Sequence, residues 1–272
     1  MKKVNFYFLT LVVVTTLLAG CSDDETVASS TNGGGTNTGS LGDSTPTGKI
    51  DANSFHFLYD PAIPPVINSV SLAYTQQEVT ISVFADDIND LRVEGQTVNF
   101  ATEWGTWLDE LDSCVITNGQ CSVVWRSENP STHPADCLVA ITAWTTGEES
   151  FVDFNRNGQF DVTDTLFDLE EPYLDVNSNG AFDAAVFSLG GEPELIDIIN
   201  FDGTTPGTAN GSHDNGNNLY EGSRCAANNT ARCSGRTSIM IHQRQNLLIQ
   251  EPFTDSDDLD NDGDTTELIV RC

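Results

Sequence analysis

The stretch CVITNGQCSVVWRS, residues 114–127, decides the fold class. From Cys121 onward it alternates apolar and polar side chains and is rich in β-branched residues, the pattern of a half-buried strand. Asn118-Gly119, just before it, is a strong signal for a two-residue hairpin turn. Because Cys114 and Cys121 flank this turn, we predict a disulfide between them across a β-hairpin.

The same strand pattern recurs on both sides of this stretch. Five short runs, of which the opening stretch contains one, have the pattern: residues 66–74, 79–87, 96–104, 121–127 and 137–144. Turn residues separate the runs, and no comparable stretch shows helical periodicity. Several short strands at close spacing indicate a sandwich. We therefore predict a mainly β fold with a β-sandwich over residues 51–150.

Four segments of this region resemble the bacterial immunoglobulin-like domains of the invasin and intimin type. They are VTISVFADD (79–87), LRVEGQTVNF (91–100), the hairpin stretch 114–127 and AITAWTTGEESF (140–151). The likeness covers about a third of the chain. It departs from the family at LRVEG, where a proline is usual, and in the additional Cys137. The resemblance implies an immunoglobulin-like sandwich that serves as a spacer or adhesive module.

The N-terminus has the features of a secretory signal. Lys2 and Lys3 precede an apolar run, residues 4–20, that is shorter than the roughly 20 apolar residues needed to span a bilayer. LAGC, residues 18–21, resembles the lipobox of bacterial lipoproteins. That resemblance implies that residues 1–20 are removed and that Cys21 carries the lipid. An ordinary signal peptide is the alternative.

The residues that follow Cys21 indicate where the folded part is held. Residues 22–48 contain almost no large apolar side chains, so we assign 21–50 to the lipidated cysteine and a flexible linker. Ser22 resembles the sorting signal of Gram-negative outer-membrane lipoproteins, and CSDDE resembles the export tag of surface-exposed ones. These resemblances imply an outer-membrane lipoprotein, exposed at the cell surface, that contacts the membrane through its lipid.

Six cysteines remain when Cys21 is set aside, and an even number in an exported protein predicts three disulfides. The short segment between Cys225 and Cys233 predicts a second local pair besides Cys114–Cys121. Elimination then leaves Cys137–Cys272, although only the local pairs can be argued from spacing.

The charge balance is strongly acidic, with 11 basic against 41 acidic residues and a formal net charge of -30. This charge repels nucleic acid and anionic membrane surfaces, which excludes both as partners. Solubility is one explanation for so many carboxylates. The other is that divalent cations lie between them, since an uncompensated charge of this size destabilises a compact fold.

Two stretches, DFNRNGQFD (153–161) and DVNSNGAFD (175–183), repeat one pattern at a period of 22 residues. A calcium loop of the EF-hand type presents oxygen ligands at positions 1, 3, 5, 7, 9 and 12 and needs glycine at position 6. In the first stretch, loop A, every ligand position carries an oxygen donor: Asp153, Asn155, Asn157, the carbonyl of Gln159, Asp161 and Asp164. The final Asp resembles dockerin-type loops.

The second stretch, loop B, lacks its last ligand because position 12 is Val186. Its other ligand positions are Asp175, Asn177, Asn179, the carbonyl of Ala181 and Asp183. We predict that Asp168 and Glu171 in the connecting segment complete it, so that residues 151–195 form one calcium-binding repeat. Pro172 leaves no room for the helix pair of a true EF-hand. Ordinary Asx turns are the alternative for both loops.

Residues 196–272 are rich in Gly, Asn and Asp, and we predict a small irregular β region held by disulfides. DLDNDGDTTE (258–267) resembles the loops of thrombospondin type 3 repeats and RTX-like proteins. The resemblance implies calcium ligands at Asp258, Asp260, Asp262, Asp264 and Glu267. The segment 214–221, loop C, is a weaker candidate. Amides in place of carboxylates predict weak affinities, with Kd on the order of 10⁻⁴ to 10⁻³ M.

Catalytic motifs are missing from the sequence: there is no nucleophile elbow, no phosphate loop and no metal-ligand spacing among the four histidines. We therefore expect a non-enzymatic, calcium-stabilised lipoprotein of the outer membrane or cell surface that acts as an adhesive or spacer module toward a protein or glycan partner. One alternative is a carbohydrate-binding module that uses exposed Trp104 and Trp107, with Trp125 and Trp144 in the core. The other is a dockerin-like assembly component.

Overall fold

The computed structural model describes residues 47–62, 76–128, 132–134, 136–184, 191–196 and 212–249, and the backbone of 252–254 and 268–270. These residues belong to one compact unit, Gly39–Cys272. The predicted signal peptide, Cys21, nearly all of the linker, the run 66–74 and the acidic stretch 258–267 lie outside the described residues. Within the described part, no helix is both long and apolar enough to cross a membrane.

The protein is mainly β, as predicted. The described strands are β1 Ile50–Asp51, β2 Phe55–Asp60, β3 Glu78–Ala85, β4 Thr97–Thr102, β5 Thr106–Trp107, β6 Ser113–Val115, β7 Gln120–Arg126, β8 Leu138–Glu148, β9 Ser150–Val152, β10 Thr165–Phe167, β11 Ile239–Leu248, β12 Pro252–Thr254 and β13 Leu268–Val270. Short 3₁₀ turns lie at Ala52–Ser54, Leu108–Glu110 and Thr230–Arg232.

Two sheets pack face to face and form a sandwich. One has the strand order β2-β3-β7-β5 and is antiparallel throughout. The other is built on β8, which pairs with β11, β4 and β1, while β6 pairs with β4. Alternate side chains of β3, β7 and β8, such as Ile81, Trp125 and Ile141, enclose a common core. The period-2 alternation in the sequence therefore places one side of each strand inside.

The long strand β11 lies in the region that we predicted to be separate, 196–272. It pairs antiparallel with β8 over its whole length, from Ile239 opposite Gly147 to Leu248 opposite Leu138. The sandwich therefore needs β11, and residues 149–238 form an insert between two neighbouring strands. The insert also covers the outer face of β8, where the buried Thr142 hydroxyl donates to the Tyr173 carbonyl at 2.8 Å.

The disulfide Cys114–Cys121 is present, but the hairpin that we predicted around it does not extend beyond one antiparallel bridge, between Thr117 and Gln120. A tight turn does form, because Asn118 and Gly119 both have positive φ, 53° and 73°. Beyond the turn β6 pairs with β4, whereas β7 pairs with β3 along its length and with β5 at Trp125 and Arg126. The two cysteines therefore link strands that belong to different sheets.

The expectation that Trp104 is exposed was also wrong. The residue is only 6% exposed, its ring centroid lies 5.7 Å from that of Trp125, and its indole N–H donates to the Thr132 hydroxyl at 3.1 Å. Gly105 allows this close packing with a φ of 85°. Trp107 is half-buried against Phe100. These side chains supply no exposed stacking platform, so we do not propose the carbohydrate-binding alternative.

The other two predicted disulfides have different outcomes. Cys225–Cys233 is formed, as predicted, with an S–S distance of 2.05 Å. Cys137 is disulfide-bonded and buried, and its predicted partner Cys272 lies outside the described residues.

Candidate metal centre

Loop A is closed by its own side chains. The carboxylate of Asp153 at position 1 accepts hydrogen bonds from the backbone N–H groups of Asn157 (3.2 Å) and Gly158 (2.7 Å). Gly158 has a φ of 72°, which is why position 6 needs glycine. The amides of Asn155 and Asn157 both reach the Asp161 carboxylate, at 2.5 and 2.9 Å. Positions 1, 3, 5 and 9 therefore converge on one small volume.

The position 12 side chain of loop A joins the same network. The buried carboxylate of Asp164 accepts from the N–H of Asp161 at 2.8 Å and from that of Phe154 at 3.0 Å. In return the Asp164 N–H donates to the Asp161 carbonyl at 3.2 Å. Hydrogen bonds from Thr163 lower the pKa of Asp161 to about 2, so this carboxylate carries its charge at neutral pH.

Loop B repeats these hydrogen bonds position by position. Asp175 accepts from the N–H groups of Asn179 (3.1 Å) and Gly180 (2.8 Å), and Gly180 has a φ of 77°. The amides of Asn177 and Asn179 reach Asp183 at 2.5 and 2.7 Å. The two copies of the motif therefore adopt the same conformation, as their shared sequence requires.

Glu192 occupies the place in loop B that Asp164 occupies in loop A. Its carboxylate accepts from the N–H of Asp183 at 2.9 Å, and its own N–H donates to the Asp183 carbonyl at 3.0 Å. Burial raises the pKa of Glu192, and the charges of Asp175 and Asp183 act in the same direction. Glu192 was not among the predicted ligands because it lies nine residues beyond Asp183 in the sequence.

The predicted bridging residues Asp168 and Glu171 contact a different segment. Asp168 accepts from the N–H of Asn218 at 2.9 Å, and Glu171 accepts from the N–H of Asp214 at 2.8 Å. Both partners belong to the segment 212–221. These two carboxylates therefore serve loop C, and the carboxylate at loop B is Glu192.

A repeated Glu-Pro motif explains why Glu192, and not Glu171, lies at loop B. Glu171-Pro172 and Glu192-Pro193 are each followed by a variable residue and a leucine. The two segments pair antiparallel: Leu195 N–H donates to the Pro172 carbonyl (3.0 Å) and Leu174 N–H to that of Pro193 (3.1 Å). This pairing sends the two glutamates to opposite ends, one toward Asp214 and the other toward Asp183. The repeat is visible in the sequence and could have pointed to Glu192, but the sequence analysis did not use it.

Loop C has the same turn as loops A and B. Asn218 has a φ of 60° and stands where the other loops have glycine. Its N–H donates to Asp168, as that of Gly158 does to Asp153. The amide of Asn217 reaches the Glu221 carboxylate at 2.8 Å, which repeats the contact between positions 5 and 9. Loop C thus takes its position 1 carboxylate from a remote part of the chain.

Glu149 supplies the equivalent of position 12 in loop C. It accepts from the N–H of Glu221 at 2.8 Å, and its own N–H donates to the Glu221 carbonyl at 3.0 Å. Both side chains are buried. Burial raises the pKa of Glu149 to about 8, with further increases from the charges of Glu221 and Asp168. One carboxylate oxygen of Asp168 is buried without a hydrogen-bond partner. A positive charge here would stabilise the ionised forms.

Aromatic side chains and a disulfide hold loops A and C together. Phe160 and Tyr220 occupy the same position in their loops, are both buried, and have ring centroids 4.9 Å apart. Phe151 packs against both rings. Phe160 forms a β-bridge with Cys225, and Tyr220 forms one with Cys233. The disulfide between these cysteines therefore fixes the backbone of one loop relative to the other.

The loops differ from a metal centre made of charged side chains alone. In the described part of the chain, no group of three or more His, Cys, Asp or Glu side chains is arranged as a set of metal ligands. Much of the donor set of loops A and B comes instead from asparagine amides and a backbone carbonyl. Such a set matches calcium, which takes neutral oxygen ligands together with carboxylates.

Comparison of this chain with protein-family models, with curated proteins and with solved structures finds no match. The function of the loops is therefore inferred from their own geometry and chemistry.

Proposed function

We propose that this protein is a non-enzymatic lipoprotein of the outer membrane or cell surface, and that calcium bound by its loops stabilises it as an adhesive or spacer module. One observation carries the proposal. Loops A and B make the same set of hydrogen bonds around the same oxygen donors, and each has a carboxylate at the place of position 12. An ordinary Asx turn does not require that second carboxylate.

The donor chemistry favours calcium over other cations. Calcium takes six to eight oxygen ligands in flexible geometry, whereas magnesium demands a near-ideal octahedron and keeps several waters. Zinc prefers nitrogen and sulfur donors, which these loops lack. In loop A the ligands would be Asp153, Asn155, Asn157, the Gln159 carbonyl, Asp161 and Asp164. The ion would supply charge compensation, which this highly acidic chain needs.

The position of the loops supports a mechanical role for the ions rather than a catalytic one. The insert that carries them joins β8 to β11, two paired strands of the sandwich. Rigid loops at this place would stiffen the module and fix the surface around them. The lipobox and the linker support attachment to a membrane at one end.

Exposed apolar side chains around loop A favour the adhesive role. Phe154 is 65% exposed and Val162 is 72% exposed, and Phe167 in β10 is also exposed. Contiguous exposed apolar side chains are a common feature of protein contact sites, and Phe154 and Val162 both belong to loop A or its immediate end. Calcium would then order the loop that presents Phe154 and Val162.

Thermal unfolding of the purified protein with calcium and with EGTA tests the proposal. A ligand bound only by the native state adds about 2.7 kcal/mol of stability at 100 times Kd. We expect millimolar calcium to raise Tm, magnesium to raise it less, and Asp153→Ala together with Asp175→Ala to remove most of the calcium effect. Equal Tm values in calcium and EGTA would overturn the proposal.

A further inference from the structure

Glu192 has an unused carboxylate oxygen inside the protein. The residue is 5% exposed, and one oxygen of its carboxylate accepts from the Asp183 N–H at 2.9 Å. The other oxygen is buried and accepts no hydrogen bond of good geometry, although the N–H of Asn177 in loop B approaches the same carboxylate. A buried, unpaired carboxylate oxygen is costly unless a cation or a donor meets it. This oxygen belongs to the side chain that already contacts position 9 of loop B.

We propose that Glu192 is the missing ligand of loop B, so that one calcium ion is held jointly by residues 175–183 and by this remote glutamate. The inference rests on the proposed function, since it assumes that the loops bind calcium. It assigns the role of the position 12 ligand to a residue that lies outside the loop's own sequence.

The comparison with loop A supports the assignment. There Asp164 exchanges two hydrogen bonds with Asp161, through its carboxylate and through its N–H. Glu192 exchanges the same two bonds with Asp183. The sequence separation is nine residues in place of three. Glutamate is also the usual residue at position 12, where it binds calcium with both oxygens.

The segment that carries Glu192 is positioned independently of any ion. Leu195 and Leu174 donate across the paired Glu-Pro segments to the carbonyls of Pro172 and Pro193. Glu192 therefore reaches loop B from a backbone that the protein itself holds in place. An ion in loop B would tie this segment to residues 175–183.

Calcium stoichiometry measured by isothermal titration tests the inference on the full chain. The variants are Glu192→Gln and, as a matched control, Glu194→Gln, which removes the same charge from the same segment. We expect Glu192→Gln to bind one calcium ion fewer than the wild type, and Glu194→Gln to bind the wild-type number. Asp175→Ala should lose the same ion, and adding Glu192→Gln to it should remove no further ion.

The outcomes separate the two proposals. If the wild type binds no calcium, the proposed function fails, and the inference fails with it. If Glu192→Gln binds as many ions as Glu194→Gln, the assignment of Glu192 is overturned while calcium binding stands. Near-ultraviolet circular dichroism identifies any variant that is unfolded. If Glu192→Gln is unfolded, the milder variant Glu192→Asp takes its place and is titrated with terbium, whose luminescence reports binding. A terbium affinity equal to that of the wild type would also overturn the assignment.

Discussion

Glu149 and Glu221 are hydrogen-bonded to each other through backbone and side-chain groups, although they are 72 positions apart in the sequence. Glu149 N–H donates to the Glu221 carbonyl at 3.0 Å, and Glu221 N–H donates to the Glu149 carboxylate at 2.8 Å. Both side chains are buried, so two carboxylates lie together in a medium that disfavours their charge. This pair connects the end of β8 to loop C and makes stability dependent on pH.

We expect the free energy of unfolding in EGTA to fall as pH rises from about 4.5 to about 8. The folded-state pKa of Glu149 is raised to about 8 from an ordinary value of 4.5, so the folded state binds the proton more tightly than the unfolded chain. The stabilisation is complete below the unfolded pKa and is lost as pH rises through the folded pKa. At roughly 1.4 kcal/mol per unit, the loss is at most about 5 kcal/mol.

Urea denaturation of the wild type and of Glu149→Gln at pH 5 and pH 8 measures this effect. The variant keeps a neutral side chain of similar shape, so its stability should change less between the two pH values. The general repulsion among the other carboxylates is nearly the same in both proteins. Equal changes in the two proteins would show that Glu149 does not titrate in this range.

Removing the disulfide Cys225–Cys233 should weaken calcium binding as well as stability. Its cysteines hold Phe160 of loop A and Tyr220 of loop C through backbone bridges. The closed segment is short, so the chain-entropy contribution is about 2–3 kcal/mol. We expect Cys225→Ser with Cys233→Ser to lower the free energy of unfolding by that amount and to reduce calcium affinity.

The matched control is Cys114→Ser with Cys121→Ser. That pair closes a segment of similar length but links the two sheets, so it should cost similar stability and leave calcium affinity unchanged. Titration calorimetry on both double variants checks the difference. A reduction in affinity of the same size in both would mean that the affinity follows global stability.

Gly105→Ala should be far more destabilising than Gly48→Ala. Both glycines have positive φ, 85° and 74°, and so carry a similar conformational cost of about 1–2 kcal/mol on substitution. A methyl group at Gly105 would lie 2.5 Å from the Trp125 ring, whereas nothing lies within 4 Å at Gly48. Overpacking adds roughly 1–3 kcal/mol. Denaturant titration of both variants measures the difference, and equal losses would contradict the close packing at Trp125.

The sequence predicted those features that depend on neighbouring residues. Alternation gave the mainly β class, and Asn118-Gly119 gave a turn with both φ values positive. The shared motif of loops A and B gave two segments with the same hydrogen bonds. In each of these, the residues that determine the conformation lie within a few positions of one another.

Features that depend on remote residues were missed or misassigned. Nothing in the pattern of residues 239–248 shows that this strand pairs with β8 rather than within its own region. Glu192, and the roles of Asp168 and Glu149 in loop C, depend on how the insert folds back on the sandwich. Local propensity contains no information on such contacts, because they are fixed by packing and by the pairing of segments far apart in sequence.

The pairing of β8 with β11 has a consequence for the rate of folding. Glu148 ends one strand and Ile239 begins the other, so the sheet closes only after the whole insert has been brought together. The entropy cost of such a closure grows with the length of flexible chain between the ends. Ions that order loops A and B early in folding would shorten the flexible chain that remains between the two strands. We therefore expect calcium to accelerate refolding in stopped-flow experiments, so that the cation concentration at the place of folding sets how quickly the sandwich forms.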